Sequence, residues 1–253
     1  MTATVTAAAP TPQDRVVVRR FSLPHDAPTP RVAGTVEVWT WAFGHAGFAD
    51  GEEAGLRRDL TPEEGERATR YRHAAAREQF VRSRAALRRL LAANLGCTPH
   101  EVEVVANADG KPMLRGGGLQ FNVSHTDGVV LIALADTPVG VDVERLRDMP
   151  GAAGLVGRYF SEPEQRQFAA LPGTLQTAGF FRGWTCKEAV LKGIGCGVRE
   201  LDRCFVELHP DAPPAILGPP ETASAWRVVT WQPTPETLAA LAVATKNAAV
   251  LVG

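Results

Sequence analysis

Apolar and polar positions alternate from Val36 to Trp41, with Val36, Val38 and Thr40 on one side and Glu37, Trp39 and Trp41 on the other. A period of two predicts a strand, and ordered structure is expected to begin there. Thr61-Pro62-Glu63-Glu64 carries the signs of a helix start: a hydroxyl cap, proline at the first helical position and acids in the first turn. Residues 77–95 follow the helical period, gathering Phe80, Leu87 and Leu91 on one side, and Gly96 supplies a stop. Short strand-like runs occupy 102–105 and 119–123. Thr126-Asp127-Gly128 then turns the chain into the apolar run 129–135, and a further strand begins at Val139.

The second half repeats this rhythm. Ser161-Glu162-Pro163-Glu164 echoes Thr61-Pro62-Glu63-Glu64, and a helix opening at Phe181-Arg182-Gly183-Trp184 runs to Lys192 and ends at Gly193 or Gly195. Strand patterns follow at 204–208, 226–231 and 238–244. Similarity at half the chain length predicts an α+β (mixed α/β) fold of two similar halves related by a pseudo-twofold axis. Each half is a small antiparallel sheet packed with a long helix. The expected division is a loose, flexible N-terminal tail over 1–35, a first half over 36–138 and a second half over 139–253, with the C-terminal strands packing back on the first. A crevice between such halves is a natural place for a site.

Composition narrows the function classes. The 253 residues are 45% hydrophobic and 22% charged, an ordinary soluble balance. A formal net charge of −1 provides no global pull toward nucleic acid or an anionic membrane, so an anion site must come from local clustering. Cys97, Cys186, Cys196 and Cys204 are widely spaced without CxxC pairing, which argues against a zinc site or a disulfide framework and fits a cytoplasmic protein. No apolar run reaches membrane-spanning length, and the start lacks the pattern of a signal peptide.

Local clusters carry the chemistry. Asp142 and Glu144 stand two apart in a strand, so both carboxylates leave the same face of an otherwise apolar segment. They repel unless a cation joins them, and an all-oxygen donor set favours Mg²⁺, with Mn²⁺ as a substitute. The alternative is a solvent-facing strand edge with two ordinary acids. Trp184, Glu188 and Lys192 share one helix face at i, i+4 and i+8, placing a third acid and an ammonium together, either at that site or as an exposed ion pair. Ser124 and His125 are strand neighbours and point to opposite faces, which disfavours a nucleophile–base pair and suits anion contacts. Asp109-Gly110-Lys111-Pro112 is a tight turn presenting a lysine. Arg77, Arg84 and Arg88 form a basic stripe on the first long helix, preceded by Arg67, Arg70 and Arg72. A stripe of this kind is either a solvated face or a holder of phosphate groups.

In this order, Gly110-Lys111-Pro112, Phe121-Asn122-Val123-Ser124-His125, Gly140-Val141-Asp142-Val143-Glu144 and Trp184-Thr185-Cys186-Lys187-Glu188-Ala189-Val190-Leu191-Lys192 resemble the motifs of the large, two-halved 4′-phosphopantetheinyl transferases of the surfactin synthetase-activating kind. Arg158-Tyr159-Phe160-Ser161-Glu162-Pro163-Glu164 resembles a further element of that family. The resemblance implies transfer of 4′-phosphopantetheine from coenzyme A to a serine of an apo acyl or peptidyl carrier protein, releasing 3′,5′-ADP. It implies Mg²⁺ held by Asp142, Glu144 and Glu188, with Lys192 against the diphosphate or the leaving phosphate. Lys111, Ser124 and His125 resemble residues that hold the nucleotide and its 3′-phosphate, while Arg67, Arg77 and Arg84 resemble phosphate-binding basic positions. Glu64 departs from the pattern, standing where the surfactin-type member has a lysine. Glu188 is the first candidate for general base, with Glu144 the alternative. The expected partners are a carrier protein and coenzyme A, with no nucleic acid, no membrane and a monomeric state. A non-transferring coenzyme A-binding module and a metal-dependent phosphohydrolase using the same carboxylates are the alternatives.

Overall fold

Strand β2 (Val36–Ala42) forms where the alternation starts. The computed structural model describes residues 16–20, 28–44, 47–196, 200–201 and 204–245. Order begins earlier than the pattern predicts. Val16–Arg20 is strand β1, paired in parallel with β2 so that Val16 lies opposite Val36 and Arg20 opposite Thr40. Three consecutive valines suit an extended backbone, and the edge of β2 satisfies their ladder. The expectation of a wholly loose 1–35 is corrected accordingly. Near its end, that region is also tied down by Asp136, which accepts from Gly34 N–H at 2.7 Å and pairs with Arg31.

The first half continues through α1 (Glu52–Arg57), α2 (Pro62–Thr69) and the long α3 (Ala74–Leu95). Helix α2 starts at the predicted Thr61 cap, where Thr61 and Glu64 each satisfy the other's backbone N–H in a capping box. Helix α3 ends on Gly96 at φ 70°, the left-handed conformation that glycine adopts without strain. After a 3-10 turn at Pro99–Glu101, the hairpin β3 (Val104–Ala106) and β4 (Pro112–Leu114) presents Lys111. Strands β5 (Gln120–Thr126) and β6 (Val129–Ala135) then pair antiparallel. Asp127 and Gly128 both have positive φ, 37° and 80°, the signature of a tight two-residue hairpin turn. The first sheet has the order β1-β2-β6-β5.

The second half opens with β7 (Val139–Arg145) and passes through α4 (Ala152–Tyr159), α5 (Glu162–Ala170) and the long α6 (Gly173–Ile194). It then runs through β8 (Phe205–Val206), β9 (Ile216–Gly218), α7 (Pro220–Ala225), β10 (Trp226–Trp231) and β11 (Thr237–Ala244). Its sheet has the order β10-β11-β7, with Asp142 opposite Ala240. The predicted helix opening at Phe181 is in fact the middle of α6, which starts at Gly173.

Three apolar clusters give the layering. Trp39, Trp41 and Ile132 of the first sheet pack with Phe80, Leu87 and Leu91 of α3. Ala240, Ala242 and Trp226 of the second sheet pack with Phe181, Ala189 and Val190 of α6. The remaining faces meet each other: Val36, Val38, Leu131 and Ala133 against Val139, Val141, Val143 and Leu241. The order of layers is therefore helix, sheet, sheet, helix. Two side chains of β5 stitch the halves together, Asn122 accepting from Val141 N–H at 2.8 Å and Ser124 from Val143 N–H at 3.3 Å. Strands β5 and β7, each at one edge of its sheet, thereby lie side by side.

Candidate active site at the seam between the halves

Alternation along β7 sends Val139, Val141 and Val143 into the central core and leaves Gly140, Asp142 and Glu144 facing α6. The helix comes very close there. A Cβ on Gly140 would lie 2.0 Å from the Ala189 carbonyl oxygen and 2.3 Å from the Gly193 nitrogen. Only glycine permits this approach, which brings Glu188 and Lys192 of α6 up to the β7 carboxylates.

Asp142 is the centre of the cluster and is 3% exposed. Its Oδ1 accepts from Lys192 Nζ at 2.5 Å and from Ser124 Oγ at 2.9 Å, while Lys192 also donates to Ser124 at 3.2 Å. The other oxygen, Oδ2, is buried without a hydrogen-bond partner among the described residues. Glu188 is 8% exposed, and its pKa is pushed up to about 7. Burial is the main cause; Asp142 and Glu144 add to it, and Lys192 opposes it. Glu144 is raised for the same reasons, burial first and then Asp142, against Arg147, Lys192 and the Trp184 indole. Three acids thus lie within electrostatic reach of one another and of one ammonium. Among the described residues no three acidic, imidazole or thiol groups converge closely enough to form a ready-made metal cage; Lys192 takes one of the two Asp142 oxygens.

Beside this cluster lies a cavity of about 350 Å³ between α2, α3 and β5, lined by Arg67, Tyr71, Phe80, Arg84, Phe121 and His125. A wider groove of about 890 Å³ passes Arg67 and Arg84 to Glu64, Arg88 and Arg115. His125 lies between cavity and carboxylates. Desolvation and then the charge of Lys192 hold its imidazole below the ordinary pKa, with Arg84 adding to the effect. Arg67 stacks over Phe80 at 5.1 Å.

Most of the residues singled out in the sequence meet here, and three do not point where expected. Asp142, Glu144, Glu188, Lys192 and Ser124 form the polar cluster, while Arg67, Arg84 and His125 line the cavity. Ser124 spends its hydroxyl on Asp142, Lys192 and Val143 rather than on the cavity. Lys111 donates to the Gly193 carbonyl at 2.7 Å, at the C-terminal end of α6, and burial lowers its pKa to about 8. Arg77 stands apart from both cavity linings, with its guanidinium 3.4 Å from Glu53.

Sequence reasoning passed over two supports of the site. Lys187, one residue before Glu188, is fully buried and donates to Glu164 at 2.5 Å, and Glu164 also caps α5 through Ser161. In the first half, Glu64 caps α2 and meets Arg88 at 2.5 Å. Each half therefore ties the start of a short helix to its long helix through a capping-box glutamate. The repeated Ser/Thr-x-x-Glu spacing was the available signal.

Comparison with known proteins agrees with this geometry. Residues 54–137 match the family described as 4′-phosphopantetheinyl transferase, N-terminal, and residues 138–245 match the 4′-phosphopantetheinyl transferase superfamily. The chain is 34% identical over 194 residues to the 4′-phosphopantetheinyl transferase HetI of Nostoc sp., covering 75% of this chain and 80% of that protein. The chain belongs to the 4′-phosphopantetheinyl transferase family. It is also 27% identical over 171 residues to a 4′-phosphopantetheinyl transferase of Bacillus subtilis, covering 67% of this chain and 75% of the relative. With the Xenopus laevis L-aminoadipate-semialdehyde dehydrogenase-phosphopantetheinyl transferase it shares 29% identity over 187 residues, 67% of this chain and 62% of the relative. The boundary between the two matched regions falls just before β7, so the cavity residues lie in the first region. In this transferase Asp142, Glu144, Glu188 and Lys192 all lie in the second.

Proposed function

We propose that the protein transfers 4′-phosphopantetheine from coenzyme A to a serine hydroxyl of an apo carrier protein, leaving 3′,5′-ADP. The observation that carries this is the meeting, at one seam, of a carboxylate–lysine cluster with an arginine-lined cavity, in a chain of this family. The first can manage charge at a reacting phosphate, and the second can hold a phosphorylated nucleotide.

The cluster fits a hard divalent cation. Its donors are all carboxylate oxygens, Asp142 Oδ2 is buried and unpartnered among the described residues, and Glu188, raised first by burial, is raised further by the neighbouring Asp142 and Glu144. Asp142 and Glu144 would hold Mg²⁺, which when bound supplies Lewis-acid polarisation and a template for the diphosphate. Mn²⁺ has the same oxygen preference.

Attack by the serine oxygen at the β-phosphorus breaks the bond to the α-phosphate bridging oxygen, so charge grows on phosphate oxygens. Lys192, with two of its three donors on Asp142 and Ser124, holds a positive charge where that growth occurs. Glu188 accepts the serine proton. A carboxylate with a pKa about 7 is matched to proton transfer near neutral pH. Arg67, Arg84 and His125 orient the nucleotide, while Lys111 steadies the end of α6. The protein acts as a monomer, since the two halves complete one site within a single chain, and its widely spaced cysteines without CxxC pairing favour the cytoplasm. Among the described residues no helix is long and apolar enough to cross a membrane.

Transfer of a fluorescent pantetheinyl group from a coenzyme A conjugate to apo carrier, with and without chelator, tests the proposal. Label on the carrier that requires Mg²⁺ and the acceptor serine supports it. Release of free phosphopantetheine without carrier would instead indicate a phosphohydrolase.

A further inference from the structure

Two arginines of α3 face one carboxylate. Glu64 Oε2 accepts from Arg88 Nε at 2.5 Å and from Thr61 N–H at 3.2 Å, while Oε1 lies 3.8 Å from Arg84 Nε. Arg88 is spent on structure: its side chain is 5% exposed and also donates to the carbonyls of Pro99 and Val102. Arg84 is different. Its side chain is 25% exposed, and it lines both the small cavity and the wider groove together with Arg67. The matching glutamate of the second half, Glu164, meets Lys187 inside the core with both side chains at 0% exposure. Glu64, by contrast, lies on the wall of the wider groove, which shares Arg67 and Arg84 with the small cavity.

We infer that Glu64 sets how strongly the arginine cavity prefers a ligand bearing a 3′-phosphomonoester, and that its carboxylate keeps this preference weak. The inference rests on the transfer proposal, which places the coenzyme's nucleotide in that cavity. A phosphate dianion bound by Arg84 must share its guanidinium with the Glu64 carboxylate and lie near a like charge. The surroundings of Arg84 agree. Desolvation, Arg67 and Arg88 all press against its positive charge, and Glu64 is the chief opposing influence. With Glu64 neutral, Arg67, Arg84 and Arg88 would turn an uncompensated positive charge toward the same ligand. With it charged, coenzyme A and its 3′-dephospho form are discriminated only weakly.

The test is titration calorimetry with 3′,5′-ADP and 5′-AMP on the wild type, Glu64→Gln and Glu64→Asp. Glutamine keeps an oxygen for Thr61 N–H, so the α2 cap survives while the charge is removed. The ratio of affinities for 3′,5′-ADP over 5′-AMP should rise about tenfold in Glu64→Gln, equivalent to about 1.4 kcal/mol. It should stay within about twofold of wild type in Glu64→Asp. A ratio in Glu64→Gln within about twofold of wild type overturns the inference. Arg84→Met in the wild-type background gives a second measure that does not depend on the Glu64 variants folding. Because Glu64 already offsets Arg84, the loss in ratio should be below about fivefold, and a larger loss overturns the inference. If wild type binds neither 3′,5′-ADP nor coenzyme A, the transfer proposal fails as well. If it binds both and the ratio does not respond, only the role of Glu64 falls.

Discussion

Replacing Glu188 by glutamine should change how stability depends on pH. The carboxyl is 8% exposed and close to Asp142 and Glu144, and its pKa in the folded chain is about 7 against 4.5 for an unburdened glutamate. Between those values the folded state keeps a proton that the unfolded chain has released. Folding therefore takes up protons, and stability falls as pH rises from about 4.5 to about 7. A displacement of this size corresponds to about 3 kcal/mol at most, present in full below the lower value and lost above the upper one. Glu144 contributes with the same sign, so the comparison with Glu188→Gln isolates one group. The assay is urea unfolding followed by tryptophan fluorescence in the presence of a chelator, at half-unit steps from pH 5 to pH 8. Relative to Glu188→Gln, wild type should lose about 2.5 kcal/mol across that range, part of the change lying below pH 5, which is a shift of roughly 0.8 M in the midpoint at a slope of about 3 kcal/mol per M. Added Mg²⁺ should shrink the difference, because a cation favours the ionised acid. Parallel pH profiles for the two proteins would refute the reasoning, since Glu188 would then not be held protonated by its surroundings.

Further perturbations separate packing from chemistry. Gly140→Ala places a methyl 2.0 Å from the Ala189 carbonyl and must push α6 away; we expect a loss of about 3 kcal/mol and of transfer, read by urea unfolding and turnover. Gly154→Ala, with nothing within 4 Å of the new methyl, is the helix control and should be neutral or slightly stabilising. Glu164→Ala leaves the Lys187 ammonium fully buried without its carboxylate, at a cost of about 3–5 kcal/mol in thermal or urea unfolding, whereas Glu66→Ala, on an exposed pair with Arg70, should change stability by less than about 0.5 kcal/mol. Lys192→Ala should lower kcat by about 100-fold or more while changing KM for coenzyme A much less, and an effect confined to KM would make it a binding group only.

Much of this fold was legible where local rules and tertiary packing agree. The apolar run 129–135 and the pattern at 226–231 became β6 and β10 without change, and α2 opened at the Thr61 hydroxyl cap as predicted. The first two turns of α6 were hidden because Gly173 and Gly179 are poor helix formers. For Gly179, and for Gly183 within the predicted part, the reason is tertiary: a Cβ on Gly179 would lie 2.4 Å from Leu171 and one on Gly183 2.5 Å from Leu208. Helices α1 and α4 are too short, and too interrupted by glycine, to carry a periodic signal. In the site, period two placed Asp142 with Glu144, and helical spacing placed Glu188 with Lys192. What no window could contain was the contact between them, since Lys192 meets Asp142 across 50 residues and Ser124 meets it across 18. The loss of Arg77 from the cavity has the same origin, since a stripe on a helix says which residues align but not which of them the neighbouring strands face.

The most direct test is intact-protein mass spectrometry of an apo carrier incubated with coenzyme A, Mg²⁺ and either wild type or Asp142→Ala. Wild type should add the mass of one phosphopantetheine, lost with chelator or when the carrier serine is alanine, and Asp142→Ala should add none while keeping its fold. An unmodified carrier with wild type, or full modification by Asp142→Ala, would contradict the account.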